Sequence, residues 1–228
     1  MNKKRFLAQV CVYVIGLFIL ALGVPFAINS DLGISPVNAL PFAVHLSSGI
    51  GIGLSVSLFF VACILFQIVL LRKDFKWINV TQIIFSFLFG FFLDITVFLV
   101  GDFSIPTYLG QLVMLSISMV LIAIGLSVYL EAKLISLPSE GVVLAVVEKV
   151  PKYTFHQIKI IMDCILVAMA IATTLIFMGG IYGVREGTII SAIMIGKLIP
   201  YVRKVIIPTL DKVGFYKVMN QDANKIHK

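Results

Sequence analysis

Long uninterrupted runs of apolar residues restrict this chain to very few folds. Six runs are close to the roughly 20 residues that a helix needs to cross the hydrocarbon core of a bilayer. They cover 6–28, 52–71, 79–100, 109–130, 155–178 and 187–206. Inside lipid every backbone N–H and C=O must be paired within the protein, so such runs form helices. We therefore predict an all-α fold, a polytopic bundle of transmembrane helices with six spans.

The composition excludes a sizeable soluble domain. The chain is 60% hydrophobic and 13% charged, whereas soluble domains average about 45–50% apolar and about 25% charged residues. The net charge of +7 comes from short basic clusters between the apolar runs, which is typical of membrane topology rather than of nucleic-acid binding. The sequence therefore predicts the lipid bilayer as partner and no nucleic acid.

Two further apolar stretches, 36–47 and 138–149, are too short to cross as ordinary spans. Each begins with a proline, Pro36 or Pro138, and proline fits the first turn of a helix because its missing N–H has no partner there. Stretches of this length are typical of re-entrant or buried segments. We predict two short re-entrant helices, and the alternative is a chain with eight crossing segments.

Basic residues favour the six-span arrangement. With six spans, 15 of the 18 Lys and Arg residues lie on the side of the two termini, and only Arg185 lies on the other side. Eight crossings would move Arg72, Lys73, Lys76 and Lys133 across to join Arg185. Because cytoplasmic loops are enriched in basic residues, both termini are predicted to be cytoplasmic, in a bacterial inner membrane.

An internal repeat relates the two halves. Residues 21–36 (ALGVPFAINSDLGISP) and 123–138 (AIGLSVYLEAKLISLP) share small and apolar residues and the final proline at an offset of 102, and Gly90 matches Gly196 at an offset of 106. Each half has three spans, an odd number, so the second repeat would be inverted in the membrane, as in many transporters. We predict a first repeat at 1–104, a second at 105–207 and a basic cytoplasmic tail at 208–228 that rests on the inner leaflet.

The inverted repeat directs attention to the starts of the two short helices. Helix N-termini carry partial positive charge and attract anions and polar groups. If both starts reach mid-bilayer, Ser35 and Asn38 would face Ser139 and Glu140 there as ligands for a solute or ion. In the alternative, Asn38 and Glu140 cap the free N–H groups of their own helices.

Charged residues within the spans are the other candidates, because charges at membrane depth usually face a partner or a cavity. Asp163 lies about two turns inside its span, and Lys159 and His156 precede it on the same helix face. An ion pair of Asp163 with Lys159 or with Lys197 is expected, serving either ion coupling or helix register. Asp94 would line an outer vestibule or reach the interface.

Soluble-enzyme motifs such as GxxxxGK[ST], HExxH, CxxC and G-x-S-x-G do not occur in the sequence. We therefore expect no enzymatic activity, no cofactor and no metal site. Cys11, Cys63 and Cys164 lie in apolar runs, where a disulfide framework is not expected.

Four stretches resemble the YczE/YyaS/YitT-type bacterial membrane proteins. They are LGISPVNAL (32–40), LPSEGV (137–142), KIIMDCILV (159–167) and GVREGTIISAIMIGKLI (183–199), and the resemblance covers most of residues 10–205. It implies a multi-span cytoplasmic-membrane protein that is transporter-like, and it names no substrate.

The leading hypothesis is a gradient-driven transporter or exporter of a small polar or anionic solute. Its alternatives are an aquaporin-like channel and a non-transport membrane scaffold or accessory protein; self-association into a homo-oligomer stays open. The predicted binding residues are Ser35, Asn38, Ser139, Glu140, Asp163 and Lys197, with Lys159, Asp94 and His156 as secondary candidates.

Overall fold

A computed structural model describes residues 3–220, and within them every regular element is helical. Short 3-10 turns at Arg72–Asp74 and Trp77–Thr81 separate two of the long helices. The α-helices are α1 (Lys3–Ser30), α2 (Pro36–Ser48), α3 (Ile52–Leu71), α4 (Gln82–Val100), α5 (Tyr108–Glu131), α6 (Pro138–Lys149), α7 (Phe155–Met178), α8 (Glu186–Lys212) and α9 (Phe215–Asn220).

Five of these helices, α1, α3, α4, α5 and α7, are long and apolar enough to cross a membrane, by length and composition. The chain is therefore a multi-pass helical membrane protein. The sixth predicted span, 187–206, lies within α8, which has 27 residues but is interrupted by Lys197, Arg203 and Lys204. The helix also continues to Lys212, so the predicted tail at 208–228 begins inside α8, and residues 221–228 of that tail lie outside the described part of the chain.

The two short helices begin as predicted, at Pro36 and Pro138. The residue before each proline is extended, with φ −60° and ψ 146° at Ser35 and φ −60° and ψ 150° at Leu137, because proline disfavours helical geometry in its predecessor. The helix before each loop ends near a non-glycine residue with left-handed backbone, φ 53° at Asp31 and 50° at Lys133. In each of these three pairs, the prolines, the residues before them and the left-handed residues, the two positions are 102 residues apart.

Helices α1 and α5 form the centre of the bundle and cross at very short range. A Cβ on Gly16 would lie 2.5 Å from the backbone nitrogen of Tyr129, and one on Gly125 would lie 2.4 Å from that of Leu20. Small residues permit such close backbone approach, which drives helix association in lipid. The main apolar core, which includes Leu17, surrounds this crossing.

Helices α3 and α4 also interlock through glycine. A Cβ on Gly90 would lie 2.4 Å from the carbonyl oxygen of Gly53 and 2.2 Å from the Ser57 hydroxyl. No comparable packing joins α7 to α8 in the described part of the chain. Gly196 on α8, the sequence match of Gly90, has no atom within 4 Å of the position of a Cβ.

The short helices fill the space between the long ones, α2 against α7 and α3, and α6 against α3 and α7. Helix α6 begins beside Gln67, whose side-chain amide donates to the Pro138 carbonyl at 3.1 Å, and it ends where Lys149 pairs with Asp74 at 2.6 Å. It thus follows α3 toward the C-terminal end of α3, with its own N-terminus as the deeper end.

The starts of the two short helices contact opposite ends of the bundle. The backbone N–H of Ile34, just before α2, donates to Gly183 in the α7–α8 loop at 3.1 Å. Pro138, by contrast, lies beside Gln67, which also bonds Gln82 at the start of α4. Both starts nevertheless reach into the bundle, since Leu32 packs on Leu115 and Met119 of α5, and their predicted meeting at mid-bilayer stays a prediction.

Candidate functional site

A carboxyl group at the third position of α6 is the centre of a polar region inside the bundle. Glu140 accepts a hydrogen bond from the Tyr129 hydroxyl at 2.5 Å. Tyr129 is 1% exposed and Tyr13 of α1 is fully buried, and their rings meet edge to face at 5.5 Å. Among the residues that the structure describes, the Tyr13 hydroxyl has no hydrogen-bond partner, although buried phenols usually find one.

An ion pair lies beside this carboxyl group. Lys159 and Asp163 of α7 are bonded to each other, with side chains 28% and 19% exposed. Lys159 is also close enough to Glu140 to interact with it electrostatically. The sequence offered Lys159 and Lys197 as partners for Asp163, and the structure pairs it with Lys159.

One face of α1 continues the polar region toward the N-terminus. Arg5, Gln9 and Tyr13 are spaced by four residues and therefore share a helix face. The side-chain amide of Gln9 donates to the Ala132 carbonyl at 2.9 Å. The Gln9 side-chain oxygen and the Arg5 Nε are buried without hydrogen-bond partners in the part of the chain from 3 to 220. We call Glu140, Tyr129, Tyr13 and Gln9 the inner polar cluster.

The predicted group at the start of α2 is separate from this cluster. The Asn38 side-chain amide donates to the Ser35 hydroxyl at 3.2 Å, so the two residues bond each other. Ser139 of α6 is buried. Within residues 3–220, the side-chain hydrogen bonds described for Asn38 and Glu140 go to Ser35 and Tyr129, and neither caps the start of its own helix.

The other predicted residues lie elsewhere. Asp94 accepts from the backbone N–H of Gly53 at 2.8 Å and so caps the start of α3. Lys197 and His156 are exposed on the bundle surface. Neither joins the Lys159–Asp163 pair through a hydrogen bond or ion pair described for residues 3–220.

Sequence reasoning missed a cluster at the C-terminal end of α5. The Glu131 side chain is 5% exposed, forms an ion pair with Arg203 of α8 and accepts from the Tyr216 hydroxyl of α9 at 2.7 Å. Burial and the bonded Glu131 carboxylate raise the pKa of Tyr216 to about 12. The lone acid between apolar residues at 131 was the available signal, but its partners lie 72 and 85 residues away.

Opposite this cluster, the start of α8 is tied to the end of α1. The Arg185 guanidinium donates to the Asp31 carbonyl at 2.7 Å and also contacts the Asp31 and Glu186 carboxylates. The backbone N–H of Gly187 donates to the Leu32 carbonyl at 2.7 Å. The α7–α8 loop, predicted from the sequence as an outer loop, therefore packs on the α1–α2 loop.

Two clefts lie at these opposite ends. One of about 200 Å³ is next to the α1–α2 loop, and one of about 260 Å³ is next to the α5–α6 loop. Five lining residues of the first match five of the second at an offset of 102. They are Ala27, Ile28, Asp31, Gly33 and Ile34, and Tyr129, Leu130, Lys133, Ile135 and Ser136. In the described residues, no three His, Cys, Asp or Glu side chains come together as a metal site would require.

Comparisons with known proteins show the family to which the chain belongs. The chain is 30% identical to Uncharacterized protein YyaS of Bacillus subtilis over 135 residues, 59% of this chain and 66% of that protein, just under two thirds of its length. It is 27% identical to Uncharacterized membrane protein YczE of the same organism over 200 residues, 87% of each chain. No solved structure matches. YyaS and YczE are the proteins that the sequence resemblance predicted. A family model also matches residues 7–204, and the chain therefore belongs to DUF6198, a family of unknown function.

Proposed function

We propose that this protein is a gradient-driven transporter of a small polar or anionic solute, built from two inverted repeats. The observation that carries the proposal is the pair of clefts at opposite ends of the bundle, lined by residues at equivalent positions of the two repeats. Inverted repeats give a transporter two similar openings, one to each side, which open in turn.

Contacts at the central crossing support the repeat. A Cβ on Gly23 would lie 3.0 Å from the Ser118 carbonyl oxygen, and one on Gly125 would lie 2.8 Å from that of Gly16. Gly23 and Gly125 differ by 102 residues, as do Gly16 and Ser118. The contact between α1 and α5 is thus the same when the halves are exchanged, as a twofold axis through the crossing requires.

The path of α8 supports a sixth span. Its start is tied to Asp31 at the end of α1 by Arg185, and Arg203 is paired with Glu131 at the end of α5. Helices α1 and α5 are antiparallel, so these ends lie at opposite faces of the bundle. The 18 residues from Arg185 to Arg203 extend about 27 Å along a helix, close to the roughly 30 Å of a bilayer core.

The orientation follows from the basic residues, with both termini in the cytoplasm of a bacterial inner membrane. Cysteine labelling tests it in a variant with the native cysteines replaced. Arg72→Cys should react only from the cytoplasmic side and Ser48→Cys only from the outside. Reaction of Ser48→Cys only from the cytoplasm contradicts the six-span arrangement.

The two halves differ in a way that fits alternating access. The α3–α4 seam is closed by Gly53 and Gly90, whereas Gly196 on α8 stands open. We therefore take the structure as one of two states, with the α3–α4 seam closed and the α7–α8 seam open. In the other state, α8 would lie closer to α7.

The solute class is inferred from the charged pair on α7 and from the size of the clefts. The half-buried Lys159–Asp163 pair lies on α7, where an ammonium and a carboxylate can bind polar solutes of either charge. The clefts hold about 200 and 260 Å³, which limits the solute to a small molecule.

Solute counterflow in proteoliposomes tests transport whatever the driving ion. Purified protein is first screened against amino acids, small carboxylates and sugars for thermal stabilisation, since a ligand that binds the folded state raises the melting temperature. Vesicles loaded with the best ligand should then transiently accumulate its labelled form. Asp163→Asn should abolish this accumulation without preventing insertion, and Asp211→Asn, an exposed residue of α8, should not.

Two other outcomes would support different functions. Flux that equilibrates the label without transient accumulation indicates a channel. The absence of any stabilising ligand or flux favours a membrane scaffold, a function that fits the position of both clefts at the ends of the bundle rather than at its centre.

A further inference from the structure

We propose that Glu140 binds and releases the coupling proton, with Tyr129 and Tyr13 as the hydroxyl groups that face it. This inference rests on the proposed function, because only a transporter would couple the proton to the movement of a solute. Proton binding itself is measurable without transport, so the two ideas can fail separately.

The carboxyl group of Glu140 has no positive charge bonded to it among the described residues. Glu140 is hydrogen-bonded to a neutral phenol, Tyr129, and no cation is bonded to it in the described structure. The nearby ammonium of Lys159 is bonded to Asp163, so the two charges of that pair neutralise each other. Glu140 is partly buried, and a carboxylate at membrane depth without a bonded cation is costly, so protonation is the usual way to remove the charge. Glu140 is therefore better suited to proton exchange than Asp163.

The second step is the unused hydrogen-bonding capacity beside the carboxyl group. The fully buried Tyr13 hydroxyl has no hydrogen-bond partner within the described residues, and Tyr13 interacts electrostatically with Glu140. One turn earlier, the Gln9 side-chain oxygen is buried and also unpartnered. A site with a hydroxyl group and an acceptor oxygen in reserve can rearrange its hydrogen bonds when a proton enters or leaves.

The third step is access from one side. Tyr129 donates to Glu140 and also lines the cleft of about 260 Å³ beside the α5–α6 loop. Glu140 is therefore one hydrogen bond away from a cleft wall. The equivalent residue of the first repeat is Asn38, which cannot bind a proton at physiological pH and bonds Ser35. Of these two equivalent residues, only Glu140 can therefore bind a proton. It lies near the cleft beside the α5–α6 loop, which the proposed orientation puts on the cytoplasmic side.

The groups that face Glu140 come from each neighbouring helix. They are Tyr13 of α1, Tyr129 of α5 and Lys159 of α7, with Asp163 bonded to Lys159. Helix α3 contributes the neutral amide of Gln67, which lies against Gly141. The proton step is simple: a carboxylate takes up one proton to form a neutral carboxyl group, and no other bond changes.

Infrared difference spectroscopy of the full-length protein in nanodiscs, between acidic and alkaline buffer, tests the proposal. We expect a C=O band of a protonated carboxyl group that Glu140→Gln removes. Glu148→Gln, an exposed acid on the same helix, should keep the band. Tyr129→Phe should shift the band to higher frequency, because the carboxyl loses a hydrogen bond.

The outcomes separate cleanly. A band that survives in Glu140→Gln, disappears in Asp163→Asn or is missing in the unsubstituted protein overturns the proposal. Should Glu140→Gln fail to fold, the Tyr129→Phe shift decides, since an unshifted band means that the titrating carboxyl is not the one bonded to Tyr129. A normal band in a protein without counterflow would retain Glu140 as a proton site and contradict the transport function alone.

Discussion

Gly125 of α5 lies directly against Gly16 of α1, so close that a Cβ on Gly125 would come 2.8 Å from the Gly16 carbonyl oxygen. Backbone atoms cannot move aside as a flexible side chain would. Gly125→Ala should therefore force the two central helices apart and lower the free energy of unfolding by about 1–3 kcal/mol.

Gly196→Ala is the matched control, because its Cβ would meet nothing within 4 Å. That substitution should raise stability by about 0.5–1 kcal/mol, the usual gain for replacing glycine with alanine within a helix. Both values can be measured by denaturant titration in mixed micelles. Equal effects of the two substitutions would contradict the close crossing of α1 and α5.

Helix positions were predictable from the sequence because lipid enforces internal backbone pairing. The predicted bounds 52–71, 138–149 and 155–178 agree with α3, α6 and α7. The site was less predictable. Glu140 is visible as an acid near a helix start, but its partner Tyr129 depends on how α5 and α6 pack, and no local pattern reports that packing.

The relation between the two repeats was likewise predictable only in part. An offset of 102 was visible in Pro36 and Pro138, and the backbone at Asp31 and Lys133 follows it. The sequence could not reveal that α8 stands away from α7 in the described part of the chain, because that depends on tertiary contacts.

Asp94 should contribute to stability as a helix cap rather than as a vestibule residue. Its carboxylate accepts from the backbone N–H of Gly53 at the start of α3. Asp94→Ala should cost about 1 kcal/mol of unfolding free energy, as the loss of an N-terminal cap usually does. Asp102→Ala, an exposed acid in the loop after α4, should leave the thermal unfolding midpoint unchanged, and similar losses in both variants would rule out the capping role.

The Lys159–Asp163 pair should show strong coupling in a double-mutant cycle. Either Lys159→Met or Asp163→Asn alone leaves one half-buried charge unpaired, which we expect to cost about 1–2 kcal/mol, less than the about 3–5 kcal/mol of a fully buried pair. The double variant should regain most of this loss while remaining without counterflow. Additive losses in thermal or chemical unfolding would mean that the two charges do not interact.

The Tyr216 hydroxyl should lose its proton at an unusually high pH. Its pKa is raised to about 12 by burial and by the Glu131 carboxylate, against about 10 in an unfolded chain. Because the folded pKa is the higher one, the stabilisation is constant below pH of about 10 and is lost as pH rises toward 12.

Ultraviolet difference titration of the unsubstituted protein against Tyr216→Phe measures this group among the tyrosines. The missing component should ionise near pH 12, and Glu131→Gln should move it to lower pH. A component near pH 10 in the protein with Glu131 intact would show that Tyr216 does not bond the carboxylate.

Solute-dependent proton movement across a membrane tests the central claim most directly. Proteoliposomes that enclose a pH-sensitive dye receive the ligand identified by thermal stabilisation, at zero membrane potential. The unsubstituted protein and Glu148→Gln should move protons only when the solute is present, while Glu140→Gln and Asp163→Asn should not. Solute entry without any proton movement in the unsubstituted protein, or solute-dependent proton movement that persists in Glu140→Gln, would contradict proton-coupled transport through this site.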